Sequence, residues 1–330
     1  MSAGDVTVIV PVWNRRDLLE RLLRGLCSQT LAPSEVLVID DGSEDDSADL
    51  AVSMGARAVR TGVHRGFAAA VNRGIRESRT PLLAIVNNDV ELAPDWLERI
   101  SAALDPAAWF ATGRILQAGD RTRIDATFDA LGRGAAPCRI GYGCLDGPPF
   151  QRPREIWCAP FTAALFRAAL FDQLGLLDER FESYLEDVDF GLRCALAGFS
   201  GRYAPDALAW HAGSATLGRW HPATTRLIAR NQVWLVAKHY HAQPLWPIFV
   251  AQALWGLVAI RHGRAGSWLR GKLDGLRQFR DIRAPASAPS PRLAEILREA
   301  DLEIYRAQRA CGTRNLYWNL YFLFTGGPPK

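Results

Sequence analysis

The stretch VTVIVPVWNRRDLLERLLRGLCSQTLAPSEVLVIDDGS, Val6–Ser43, decides the fold class. Val6–Val12 is rich in β-branched residues and carries a proline near its end, so it reads as a buried first strand. Leu18, Leu19, Leu22, Leu23 and Leu26 then recur at helical spacing, which makes Arg15–Ser28 an amphipathic helix. Glu35–Ile39 is a second strand, ending in Asp40-Asp41-Gly42-Ser43. Strand, helix and strand in so short a span form a βαβ unit, and that unit implies a parallel sheet. The start is not a dinucleotide site of the usual kind. No GxGxxG follows the first strand, and no GxxxxGK[ST] occurs in the chain.

Several positions further on carry two readings each. A carboxylate at the end of the second strand accepts hydrogen bonds from a base or ribose, or caps the next helix. Arg57–Val59 is a third short strand, and His64-Arg65-Gly66-Phe67 leads into a helix, AAAVNRGIRES. A glycine beside an arginine at a helix start can approach a phosphate, although many helices begin this way. Pro81–Leu92, PLLAIVNNDVEL, is a continuous apolar run that stops at Asn87-Asn88-Asp89. At the carboxyl end of a parallel strand such side chains face the ligand crevice. One aspartate with amides suits Mg²⁺ or Mn²⁺, hard cations that share oxygen ligands with phosphate. The bland alternative is a polar strand-to-loop turn.

The helix DWLERISAAL follows Pro94, and residues 105–156, rich in Gly, Arg and Pro, read as loops over the cleft. Phe161–Leu170 is another apolar segment. In Glu182–Phe199, Leu185, Val188, Leu192 and Leu196 form a helical stripe that stops at a Gly198 cap. Glu186, Asp187 and Asp189 crowd its first turn. They are either partners of the helix dipole or carboxylates that raise one another's pKa, as a general base requires. Arg202–Trp210 is a last strand, closed by His211-Ala212-Gly213-Ser214. His211 is either a satisfied structural histidine or a further ligand to a carboxylate-bound cation.

The chain has 330 residues and 48% hydrophobic content, enough for one large core with an extension. Its net charge of +4 conceals a split. Residues 1–225 hold 23 Lys+Arg against 29 Asp+Glu, whereas residues 226–330 hold 16 against 6. A basic tail whose charges interleave with apolar and aromatic runs points to an anionic membrane surface rather than nucleic acid. Cys27, Cys138, Cys144, Cys158, Cys194 and Cys311 show no CxxC spacing and read as reduced thiols. The amino terminus lacks the pattern of a signal peptide.

In the tail, Pro244–Ile260 is uncharged and, at about 17 residues, lies at the lower edge of transmembrane length. A buried helix is the alternative. Ala265, Trp268, Leu269, Leu273, Leu276 and Phe279 form an apolar stripe beside Arg264, Arg270, Lys272, Arg277 and Arg280, as in a helix lying in a lipid interface. A linker, Ala284–Pro291, precedes another amphipathic helix and the aromatic run Leu316–Phe324. Peripheral attachment is favoured over a span.

VIVPVWNR, VIDDGSEDDS, LLAIVNNDVEL, YLEDVDFGLR and WHAGS, taken in order, resemble the inverting family 2 nucleotide-sugar glycosyltransferases of GT-A fold. The resemblance covers roughly residues 5–240 and is specific as a set. It implies an α/β fold, a Rossmann-like and mostly parallel sheet flanked by helices, in a transferase domain of residues 1–240. Residues 241–330 then form a helical, membrane-surface extension. It implies that Asp40 meets the nucleoside, and that Pro11, Arg65, Gly66 and Asn88 line the nucleotide-sugar site. Asp89, the retained aspartate of a DxD-type motif, would hold a divalent cation (Mn²⁺ or Mg²⁺), with His211 completing the site. In the Glu186-Asp187 pair, Asp187 matches the catalytic base.

The tail looks like that of rhamnosyltransferase-like bacterial members that build cell-surface polysaccharide on glycan or lipid-linked acceptors. The expected activity is inverting hexosyl transfer, with dTDP-rhamnose a candidate donor, in the cytoplasm at the inner face of the cell membrane. The alternatives are a sugar nucleotidyltransferase and a catalytically dead membrane scaffold.

Overall fold

The computed structural model describes residues 5–213, 220–283, 290–312 and 315–327. Ser214 of the WHAGS motif and residues 284–289 of the expected linker lie outside them. The chain divides into two compact units: residues 1–128 with 141–216, and residues 129–140 with 217–330.

The first unit starts with β1 (Val6–Val12), α1 (Arg16–Cys27), β2 (Glu35–Asp40), α2 (Ser47–Ser53), β3 (Arg57–Arg60) and α3 (Phe67–Glu77). Next come β4 (Leu82–Val86), β5 (Val90–Leu92), α4 (Trp96–Ala103), β6 (Phe110–Gln117) and β7 (Ile124–Ala126). The hairpin β8 (Asp129–Leu131) and β9 (Pro137–Arg139) belongs to the second unit. The first unit resumes with β10 (Arg154–Ile156), β11 (Ala163–Arg167), α5 (Ala168–Leu174), α6 (Glu186–Ala197) and β12 (Gly201–His211).

The main sheet runs β10-β12-β6-β11-β4-β1-β2-β3, with β5 on β12 and β7 on β6. β4, β1, β2 and β3 are mutually parallel, as are β12 and β6, while β11 joins the two sets antiparallel to both. The expected βαβ start is present: Val12 pairs with Asp40 in the β1–β2 register. The five leucines of α1 are all buried. They join Val8, Val10, Ala84, Val86 and Trp96 in the core of this unit.

Residues 105–156 correct the expectation of irregular loops. Five strands lie within them, among them β6 between β12 and β11. β6 hides in the sequence because it is almost wholly buried on both faces, so it has no polar alternation. Its Gly113 looks like a breaker, yet it admits the bulge of β12, where a methyl would meet Ala207 O at 1.9 Å.

The second unit adds α7 (Pro222–His239), α8 (Leu245–Arg261), α9 (Ala265–Arg277), α10 (Phe279–Ile282), α11 (Pro291–Ala310) and α12 (Leu316–Phe324) to β8 and β9. Its boundary differs from the expected 240/241 division because α7 packs on α9 and β8 packs on α11. Buried Asp301 of α11 fastens the hairpin: Arg133 and the Tyr321 hydroxyl both donate to its carboxylate. No helix among the described residues is long and apolar enough to cross a membrane. Cys27, Cys138, Cys158 and Cys194 are free thiols, as expected for them.

Candidate active site

The carboxyl ends of β1, β2 and β4 meet on one edge of the sheet, since these strands are parallel and in register. Such an edge is where open α/β sheets place ligands. β4 runs out at Val86, and the chain turns through Asn87-Asn88-Asp89 into β5. β5 pairs with the end of β12, so Val90 lies opposite His211, and Ala212 N donates to Asp89 O at 3.0 Å. That pairing brings the Asp89 and His211 side chains together: Nε2 lies 3.2 Å from Oδ1. On the other side of the ring, Nδ1 lies 2.8 Å from Oδ2 of Asp125, which β7 supplies.

All three side chains are about nine-tenths buried or more. Burial pushes the imidazole toward neutrality, but hydrogen bonds to Asp125 and Asp89 outweigh it and hold His211 up to about 9. Burial raises the Asp89 carboxyl, and the His211 hydrogen bond more than reverses this, leaving it below the usual range. Two residues before Asp89, Asn87 carries a buried amide oxygen without a hydrogen-bond partner. Among the described residues no three His, Cys, Asp or Glu side chains converge on one cation position. Asp89 and His211 thus face each other at this edge, and Asp125 stands behind the imidazole, on its Nδ1 side.

The nucleotide-side residues form a second cluster. Pro11 is buried in β1, paired opposite Ile39, and Trp13 just beyond stacks on His64 with ring centroids 4.0 Å apart. Asp40 is buried and accepts Ser43 N at 2.8 Å, which closes the turn after β2. The turns after β1 and β2 are stitched together, with Asn14 N donating to Ser43 Oγ and Glu44 N to Asn14 Oδ1. Buried Asp41 accepts the amides of Arg65 and Gly66, the latter at 2.7 Å, and lies 2.8 Å from His64 Nδ1. The next two amides of α3 go to Ser183 Oγ and Glu182 O.

The amides of Arg65 to Ala68 at the start of α3 are thus taken up by the protein itself. Gly66 also serves close packing: at φ 95° a methyl would meet Glu182 O at 2.7 Å. The Arg65 guanidinium is mostly exposed and pairs with Glu179 at 3.2 Å.

The same contacts place the acidic pair. Glu182, Tyr184 and Leu185 all have φ between 60° and 71°, so a tightly wound turn docks on Gly66–Ala68 and delivers Glu186 and Asp187 into α6. Glu186 is buried and Asp187 partly exposed. Asp189 is fully buried and bonded to Arg193 Nε at 3.2 Å, so it belongs to the packing of α6. Gly198 ends the helix in the left-handed conformation, as expected. Sequence reasoning missed Asp125, Asp41 and Ser183. Asp41 had a signal, as the second carboxylate of the DDGS turn, while Asp125 lay in the region read as loops.

Residues 7–175 match the family described as glycosyl transferase family 2. An N-acetylglucosaminyl-diphospho-decaprenol L-rhamnosyltransferase of Mycobacterium tuberculosis is 27% identical over 78% of this chain and 92% of its own length. A pre-mycofactocin glycosyltransferase of the same species is 28% identical over 98% of this chain and 67% of its own. Among solved structures, a Pyrobaculum calidifontis mannosyltransferase in complex with GDP-Man and Mn²⁺ matches with TM-score 0.53 at 19% identity, covering 96% of this chain and 86% of that one. GalNAc-T7 with UDP, GalNAc and Mn²⁺ matches with TM-score 0.57 at 14% identity, over 84% of this chain and 54% of that one. These two likenesses bear out the GT-A fold. With a family match spanning half the chain and rhamnosyl- and glycosyltransferases as relatives, this protein belongs to glycosyl transferase family 2 and is a glycosyltransferase.

Proposed function

We propose that the enzyme transfers a hexose, rhamnose in the first instance, from a nucleotide-sugar donor to a lipid-linked glycan acceptor, with inversion at the anomeric carbon. The observation that carries the reading is the buried Asp89–His211–Asp125 line at the carboxyl edge of the sheet, beside the Asp40–Asp41 turn. The donor class follows from the family. The sugar and acceptor follow the relative that is an N-acetylglucosaminyl-diphospho-decaprenol L-rhamnosyltransferase.

A divalent cation, Mn²⁺ or Mg²⁺, fits this donor set: a carboxylate oxygen and an imidazole nitrogen face each other, and the unpartnered Asn87 oxygen lies two residues before Asp89. Both structural neighbours were crystallised with Mn²⁺. When bound, the cation would offset the negative charge that builds on the departing diphosphate. Asp89 and His211 would hold it, His211 as the neutral imidazole that metal binding requires, with Asp125 keeping Nδ1 engaged so that Nε2 stays aimed at the site. Asp40 would meet the nucleoside between Pro11 and Asn88, and Arg65 would swing from Glu179 toward the nucleotide.

Asp187 would act as the base, taking the proton of the acceptor hydroxyl as that oxygen attacks the sugar. Buried Glu186 would fix the turn that presents it. One base and no covalent intermediate give inversion, by the logic of inverting hydrolases. Attachment to the inner face of the cell membrane through the basic second unit would bring the enzyme to a lipid-linked acceptor.

The test is turnover of dTDP-rhamnose, UDP-glucose, UDP-galactose and UDP-N-acetylglucosamine with Mn²⁺, Mg²⁺ or EDTA, with the product's anomeric configuration read by NMR. One donor should turn over, only with metal, and give the inverted linkage. A retained configuration would sink the single-base reading. Metal-independent turnover would sink the cation role, and silence across the panel would support the scaffold alternative.

A further inference from the structure

Helix α9 is built inside out. Its small residues, Gly271 and Gly275, are buried against α7, where a methyl at Gly271 would meet Arg226 O at 2.2 Å. Its leucines, Leu269, Leu273 and Leu276, face solvent. Trp268, expected on a lipid-facing side, packs instead over Gly256 of α8. Helix α8 repeats the inversion. Val250, Ala251, Leu254 and Ala259 are buried, while Trp246, Phe249, Leu257 and Ile260 are each more than half exposed. At about 100° per residue these four positions fall within roughly a quarter-turn, so they form one stripe along the helix. At the start of α8, Trp246 Nε1 donates to Phe324 O at 2.8 Å. That bond joins the stripe to the end of α12, where Leu323 and Phe324 are exposed as well.

Large apolar side chains clustered in water mark an interaction surface. The charges at the end of α8 and along the adjoining α9 and α10 choose the occupant. Between residues 261 and 283 the exposed charges are Arg261, Arg270, Arg277, Arg280 and Arg283 against one exposed acid, Asp281. We propose that the α8 stripe, with the end of α12, is a docking surface for an anionic lipid bilayer. Trp246 and Phe249 enter the headgroup boundary, and the arginines meet lipid phosphates. A second copy of this chain is the poorer occupant, since a two-fold contact would set the same arginines against themselves. This inference deepens the membrane-surface reading above and rests on it.

The experiment is co-sedimentation of the full-length protein with phosphatidylcholine vesicles, with and without phosphatidylglycerol. It compares wild type, Phe249→Ser/Leu257→Ser, and Ile260→Ser as a single, milder surface change. Wild type should bind the anionic vesicles, less so at high salt, and the double variant should bind about tenfold more weakly with an unchanged melting midpoint. Ile260→Ser should fall between them. Wild type that ignores both vesicles would overturn the membrane reading itself. Equal binding by wild type and variants would overturn the assignment of this face. Concentration-dependent dimers that the double variant abolishes, without vesicle binding, would give the face to a second copy.

Discussion

His211 shows how a residue's role depends on what stands behind it. With Nδ1 held at 2.8 Å by Asp125, only Nε2 is left to address Asp89 and anything bound there. Partners of this kind typically tune metal affinity by about 10–100-fold. Asp125→Asn should therefore weaken Mn²⁺ binding to the nucleotide-loaded protein by that order, read by electron paramagnetic resonance without any turnover. Unchanged affinity in Asp125→Asn, beside a loss in His211→Ala, would reduce Asp125 to packing. The sequence named Asp89 and His211 because both stand where apolar strands stop. Asp125 was invisible because nothing in Ile124-Asp125-Ala126 distinguishes a three-residue strand from a loop. Gly66 was legible as special, but one reason for its glycine was not: Glu182, distant in sequence, packs against it.

Among elements, legibility followed periodicity. α1 displays its leucines every three or four residues and folds as expected, with all five buried. β6 has no such pattern, since both faces are covered and Gly113 interrupts it, so a central strand passed for a loop. α9 displayed a clean apolar stripe, and the usual inference would turn that stripe inward. The glycines decided otherwise, because Gly271 lets α9 approach α7 more closely than any side chain allows. Gly271→Val should separate the two helices at a cost of about 1–3 kcal/mol. A urea midpoint unmoved by the change would show that the contact is slack.

For the whole molecule, the charge split between the acidic first part and the basic tail was legible from composition, and the compact units were not. α7 and the hairpin at 129–140 join the second unit through packing that no local pattern announces. That unit also holds Lys272, whose ammonium donates to Gln232 and Gln252 and is pushed by burial from 10.5 down to about 7. Above about pH 7 the folded chain sheds this proton while the unfolded chain keeps it until about 10.5. Lys272 therefore opposes folding fully below pH 7, and the opposition fades as pH rises toward 10.5. Lys272→Met should narrow the gain in urea midpoint between pH 7 and 9 relative to wild type. Parallel pH profiles would show that the ammonium is solvated.

The central claim is that Asp187, delivered into α6 by the turn docked on Gly66–Ala68, is the base of a sugar transfer. The most direct measurement is nucleoside diphosphate release by Asp187→Asn beside wild type, with donor binding followed by calorimetry. General-base help is typically worth about 10²–10⁴ in rate. The account predicts a kcat loss of at least that order with donor affinity kept. Normal turnover by Asp187→Asn would contradict it.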